Sequence, residues 1–181
     1  TGKTVKVLLT AATAAGMLAG CGSKTDTDTF RFASELDIQG MDSTVVDDGM
    51  SFNAVHAITD GLTAVNEKGK TAPAIAKSWD VSDDGKTYTF HLRDAKWSNG
   101  DKVTANDFVY SWRKIIKNAG NYAYMLGSEG ASVKNADALM ELGTNATDEQ
   151  MATLGVTAKD DKTLVVELEN KVPYFTDLMA F

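Results

Sequence analysis

Two residue groups in this 181-residue chain are of a type that could act on something beyond the chain itself: the acidic run Asp47-Asp48-Gly49, and the single cysteine, Cys21. Neighbouring carboxylates serve as general acid and base when their pKa values are split. They can equally form the polar wall of a binding loop. The plainer alternative is a solvated loop in which Asp48 or Ser51 caps the next helix. The other acidic pair, Asp83-Asp84, sits in Ser82-Asp83-Asp84-Gly85, where aspartate favours a turn for its own geometric reasons. One cysteine permits neither an internal disulfide nor a Cys₂ or Cys₄ metal site. His56 and His91 are far apart in sequence, which gives a histidine metal site little support, and no metal ligand set or cofactor is expected. No GxSxG, HExxH, GxxxxGK[ST] or GxGxxG pattern occurs. The one catalytic reading left to test is a hydrolase using Asp47 and Asp48.

Cys21 acquires a meaning from what precedes it. Lys3 and Lys6 lead into Val7, Leu8 and Leu9, and an uncharged, largely apolar run continues to Leu18. That run is short for a membrane span and is rich in small residues. A basic start, an apolar middle and small residues at the end make a secretory signal over residues 1–20. Leu18-Ala19-Gly20-Cys21 has the form of a bacterial lipobox, in which the cysteine receives diacylglycerol and becomes the first mature residue. The competing reading is a buried Ala-rich helix ending at Gly20. Residues 21–28 are small and polar and read as a flexible tether. The expected location is therefore outside the cytoplasmic membrane, with lipid on Cys21 as the anchor.

Composition is that of a soluble globular protein: 43% hydrophobic and 24% charged residues. Net charge is −7, and the first twenty residues hold two lysines and no acid, so the exported body is more acidic still. This argues against nucleic-acid binding, which relies on neutralising phosphates.

The elements that must position Asp47-Asp48-Gly49 are legible in part. Phe30 and Phe32 alternate with polar or small neighbours as in a short strand. Residues 35–50 lack periodicity and read as a loop. Phe52, Val55 and Ile58 predict a short helix that Gly61 would stop. A strand over 62–65 precedes a turn at 66–70. Ser82-Asp83-Asp84-Gly85 joins strands over 79–81 and 86–93 into a hairpin. Within it Tyr88, Phe90 and Leu92 share a buried face, and His91 lies on the solvated one. After a turn at Trp97–Asp101, Thr104 to Asp107 forms a capping box. Phe108, Val109, Trp112, Ile115 and Ile116 then make an amphipathic helix, ended by Asn118-Ala119-Gly120. Trp112 is assigned to the core and Tyr110 to the periphery. A weaker helix is expected over 131–142, and Thr147 to Gln150 caps a short one. A second hairpin follows over 156–169, with Leu164, Val166 and Leu168 buried. Pro173 opens a final apolar run, Tyr174, Phe175, Leu178, Met179 and Phe181. Its side chains are expected to lack partners, as in a piece of a longer protein.

Taken in order, Pro73-Ala-Ile-Ala-Lys-Ser-Trp79, Asp84-Gly-Lys-Thr-Tyr-Thr-Phe-His-Leu-Arg93, Trp97-Ser-Asn-Gly100 and Val103-Thr-Ala-Asn-Asp-Phe-Val-Tyr-Ser-Trp112 carry a resemblance. Leu154-Gly-Val-Thr-Ala158, Asp161-Lys-Thr-Leu-Val-Val-Glu-Leu168 and Val172-Pro-Tyr-Phe175 continue it. The chain resembles the family 5 extracellular solute-binding proteins, and within them the oligopeptide-binding proteins of ABC importers. The resemblance implies a mixed α/β chain of the two-lobed periplasmic-binding-protein type II fold. Residues 29–60 would begin lobe I, and 61–181 would form most of an accessory α/β domain. It also implies an oligopeptide ligand, a membrane permease as partner, and no catalysis. The family's ligand-contacting loop falls on Asp47, Asp48 and Gly49, and a tyrosine near its site falls on Tyr122. A ligand-facing histidine of some members is replaced by Phe181. Rival readings keep the fold and change the solute to a sugar, a nickel chelate, haem or a peptide pheromone. A surface adhesion module is a further alternative.

Overall fold

The computed structural model describes residues 33, 34 and 36–181. The signal over 1–20, Cys21, the tether and the expected Phe30–Phe32 strand lie outside the described residues. All elements below belong to the unit Leu36–Phe181.

After a loop, helix α1 spans Gly49–Ile58. Strands β1 (Thr63–Val65) and β2 (Thr71–Pro73) form a small antiparallel ribbon. Strands β3 (Ala76–Val81) and β4 (Thr87–Leu92) make the first expected hairpin, and β5 (Val156–Asp160) and β6 (Thr163–Glu167) the second. These four form one antiparallel sheet in the order β3-β4-β6-β5. The connection from β4 to β5 carries α2 (Ala105–Lys117), a 3₁₀ turn at Ala123–Leu126, α3 (Ala136–Leu142) and α4 (Asp148–Met151). Helix α5 (Phe175–Leu178) closes the unit.

The two hairpins meet because each brings one alternating strand with a wholly apolar face. Phe90 stands opposite Leu164 and Tyr88 opposite Val166, and all four are buried. Phe175 packs over them, its ring centroid 4.4 Å from that of Tyr88 and 6.2 Å from that of Phe90. Ala105, Val109 and Ile116 of α2 belong to the same core. Thr104 N–H donates to Asp107 Oδ2 at 2.7 Å, so the expected capping box forms. On the polar face His91 Nε2 meets Asp80 Oδ2 at 2.7 Å.

Four local expectations are corrected. Gly61 does not stop α1. The helix ends at Thr59, whose N–H and hydroxyl both donate to Val55 O. Gly61 instead permits close approach: a Cβ there would lie 2.6 Å from Met179 O. The helix expected over 131–142 begins only at Ala136. Residues 131–135 pair with other segments instead: Val133 N–H donates to Leu126 O and Lys134 N–H to Glu167 O. Trp112 is half-buried at the margin of the core, whereas Tyr110 is exposed as expected. Phe175 has its partners in Tyr88 and Phe90 and is fully buried. Tyr174 and Phe181 remain about half exposed.

Candidate ligand-binding site

The loop before α1 is held by its own polar residues and by the far end of α2. Asp42 Oδ1 accepts from the backbone N–H and the hydroxyl of Thr44 at 3.0 and 2.7 Å. Its Oδ2 receives Lys114 Nζ at 2.6 Å. The Lys114 bond first, and then the two from Thr44, pull the Asp42 pKa down to about 2. The same partner raises the pKa of Lys114. Gly120, just past α2, lies against the loop so closely that a Cβ would stand 2.5 Å from Thr44 O. Val46, in the same loop, is buried.

Asp47, Asp48 and Gly49 follow at the end of that loop. Asp47 is exposed, and its Oδ2 accepts from Asn121 Nδ2 at 2.6 Å. Asp48 is the N-cap of α1, and its Oδ1 accepts from Ser51 N–H at 2.8 Å. Oδ2 is buried without a hydrogen bond of good geometry. The Ser51 hydroxyl nonetheless lies close enough to favour the charged carboxylate. That hydroxyl, and then the Ser51 backbone, hold Asp48 below its ordinary pKa. Gly49 is the first residue of α1, exposed, and a Cβ there would meet nothing within 4 Å. Among the described residues, no packing contact requires glycine at this position.

Tyr122 comes to the same place by a different route. It follows Asn121, the partner of Asp47, and its ring meets Phe52 edge-on at 5.0 Å. Phe52 stands in the first turns of α1. The fold thus gathers Asp47, Asp48, Gly49 and Tyr122, distant in sequence, around the start of α1. Two supporting residues take roles that the sequence pattern does not assign them, Ser51 standing there only as an alternative to Asp48 for the cap. Fully buried Ser51 accepts the N–H groups of Gln39 and Gly40 on its Oγ at 2.9 and 3.2 Å. Asn121 was not distinguishable from any other turn residue.

This arrangement suits binding better than acid–base chemistry. Asp48 is spent on a helix cap and is pushed toward the ionised form, the wrong direction for a general acid. A cavity of about 600 Å³ lies elsewhere, lined by Arg93, Asp94, Ala95, Lys96, Lys102 and Lys162. Two of its cations are already paired, Arg93 with Asp60 and Lys162 with Asp94.

The chain is 40% identical over 168 residues to the dipeptide-binding protein of Lactococcus lactis subsp. cremoris, covering 91% of this chain and 29% of that protein. It therefore spans under a third of that relative's length. The substrate-binding domain of an oligopeptide ABC transporter from Bacillus anthracis superposes with a TM-score of 0.75 at 39% identity, over 83% of this chain and 28% of that one. Haemophilus influenzae OppA in complex with RPPGFSPFR superposes with a TM-score of 0.70 at 39% identity, over 78% of this chain and 27% of that one. The expected type of fold is that of these neighbours. The profile of the bacterial extracellular solute-binding proteins, family 5 Middle, matches residues 70–181, and with these relatives it shows that the chain belongs to that family.

Proposed function

We propose that this chain is part of a non-catalytic receptor that captures oligopeptides outside the cytoplasmic membrane for an ABC importer. Residues 29–60 would contribute the start of lobe I and residues 61–181 most of an accessory domain. Lipid on Cys21 would hold the receptor beside its permease. One acyl chain alone binds a membrane marginally, so more than one chain on that residue would suit a stable anchor. The observation that carries the reading is the loop 47–49 fixed beside Tyr122 by the Asn121–Asp47 bond. It sets the start of α1, where the Asp48 cap takes up the Ser51 N–H and the N–H groups of Gly49 and Met50 precede it, next to a partly exposed aromatic surface. Backbone N–H groups there can hydrogen-bond a peptide main chain whatever its side chains are, which is what an importer of mixed peptides needs.

Gly49→Val in the complete protein tests this. The space around Gly49 predicts an unchanged thermal midpoint, because a Cβ there meets nothing within 4 Å among the described residues. It also predicts peptide affinity lowered on the order of tenfold or more in calorimetric titration, because the side chain would fill the ligand's approach. Unchanged affinity returns the loop to a purely structural role.

A further inference from the structure

The cavity lined by Arg93, Asp94, Ala95, Lys96, Lys102 and Lys162 has a charge opposite to that of the chain. Four cations and one carboxylate meet there, in a protein with 18 basic and 25 acidic residues. Its walls are closed by bonds within the described residues. Leu92 N–H donates to Lys162 O at 2.8 Å and Ala105 N–H to Asp161 O at 2.9 Å, which ties the β5–β6 turn to the end of β4 and the start of α2. Lys96 and Lys102 face each other in an antiparallel bridge, framed by the bonds from Val103 N–H to Ala95 O and from Trp97 N–H to Asp101 O. These bonds flank the two lysines and make them a non-hydrogen-bonded pair, the kind in which side chains stand closest. Like charges directly opposite destabilise such a pair. Among the described residues neither lysine has an ion-pair partner. Asp101, the acid within the turn, is committed to Asn99, whose Nδ2 donates to Asp101 Oδ2 at 2.7 Å.

The donors themselves point to the class of ligand. Arg93 has the planar fork that grips a carboxylate bidentately, but its Nε already donates to Ala74 O and its Nη2 to Asp60 Oδ2, both at 2.9 Å. What remains are three ammonium groups, compact point charges brought by two turns. Lys162 Nζ lies 3.2 Å from Asp94 Oδ1, in a pair whose carboxylate is wholly exposed and which an anion displaces at small cost. Several ammonium groups around one centre suit a phosphate, which offers three strong acceptor oxygens and more than one charge. We propose that this cavity is a phosphate-binding site, in which Lys96, Lys102 and Lys162 hold the oxygens of a phosphate ion or of a phosphate-ester headgroup. The anion offsets the opposition of Lys96 and Lys102 that the empty turn carries. None of the lining residues belongs to loop 47–49 or to Tyr122, so the site stands whether or not the peptide reading does.

The test uses the complete protein, with inorganic phosphate titrated by calorimetry at low ionic strength. Phosphate should bind saturably, and the double variant Lys96→Gln, Lys102→Gln should bind it on the order of tenfold more weakly. Lys68→Gln, in the turn between β1 and β2, should change nothing. Without phosphate the double variant should melt no lower than the unmodified protein, because it removes two opposed charges and breaks no ion pair. Its peptide affinity should be unmoved. Vesicles of phosphatidylglycerol mixed with phosphatidylcholine, set against phosphatidylcholine alone, identify the source of the phosphate. Stronger retention of the unmodified protein than of the double variant on the anionic vesicles assigns a lipid headgroup, and equal retention assigns a soluble phosphate compound. Any lipid on Cys21 is common to both proteins and cancels. The inference is overturned by the absence of saturable phosphate binding, or by equal binding in the double variant. A lowered melting temperature of that variant also overturns it, by making the lysines supports of the turn. Tighter lysine-dependent binding of a polyglutamate peptide than of phosphate overturns it as well, and would make the cavity a dock for an acidic protein segment.

Discussion

Asp42 shows how a single side chain can fix a functional loop and leave a signature in pH. Its folded pKa lies below the ordinary carboxylate value because Lys114 and Thr44 bond the charged form. Stability from this group is therefore complete above about pH 4 and is lost as pH falls toward about 2. Both partners are partly exposed, so solvent screening keeps the pair's contribution small. Asp42→Asn should lower the thermal midpoint at neutral pH, and the gap from the unmodified chain should narrow between pH 4 and 2. A gap that stays constant across that window would mean that Lys114 contributes nothing through Asp42. Legibility at this scale was uneven. Asp48 could be named in advance as a candidate cap because capping is a local event with a local pattern. Ser51 carries two backbone donors from Gln39 and Gly40, across a fold in the chain that no spacing announces.

At the scale of elements, the strongest claim concerns the seam between the hairpins. Phe90 has no exposed surface and touches Trp79, Tyr88 and Phe175. Phe90→Ala should cost about 3–5 kcal/mol. Trp112→Ala should cost about 2 kcal/mol, since only part of that ring is covered. Urea unfolding of the two variants distinguishes them, and an equal loss would mean that the margin and the centre of this core are energetically alike. Helical spacing identified which side of α2 faces inward. It could not say that Ala105, Val109 and Ile116 would occupy the centre and Trp112 the edge, because that depends on where β5 and β6 lie beneath. Both hairpins were legible because turn residues and alternation are local. The residues before α3 were misread because the backbone groups of Val133 and Lys134 found partners in Leu126 and Glu167, and those tertiary bonds outweighed a weak helical pattern.

For the molecule as a whole, the chain spans 29% of the length of its Lactococcus lactis relative, and the proposed binding surface is one open wall. Association costs roughly 4–15 kcal/mol in lost translational and rotational freedom before any contact is made. Residues 22–181 alone should therefore show no measurable affinity for a pool of short peptides. Micromolar binding by a monodisperse preparation would mean that a second lobe is dispensable. Cys21→Ser in the complete protein should move it from the membrane to the soluble fraction, and retention would remove the lipid anchor from the proposal. The sheet order β3-β4-β6-β5 has a further consequence, in time rather than in space. Each hairpin is a local structure of the kind that forms in microseconds. The middle pairing, β4 with β6, must wait until the whole helical connection between them has been synthesised and gathered in. A chain appearing amino-terminus first thus presents β4 with one edge unpaired until β6 arrives, and Tyr88 and Phe90 without Phe175 until later still. That interval, and not the finished fold, is when this protein is most exposed to misassociation with its neighbours.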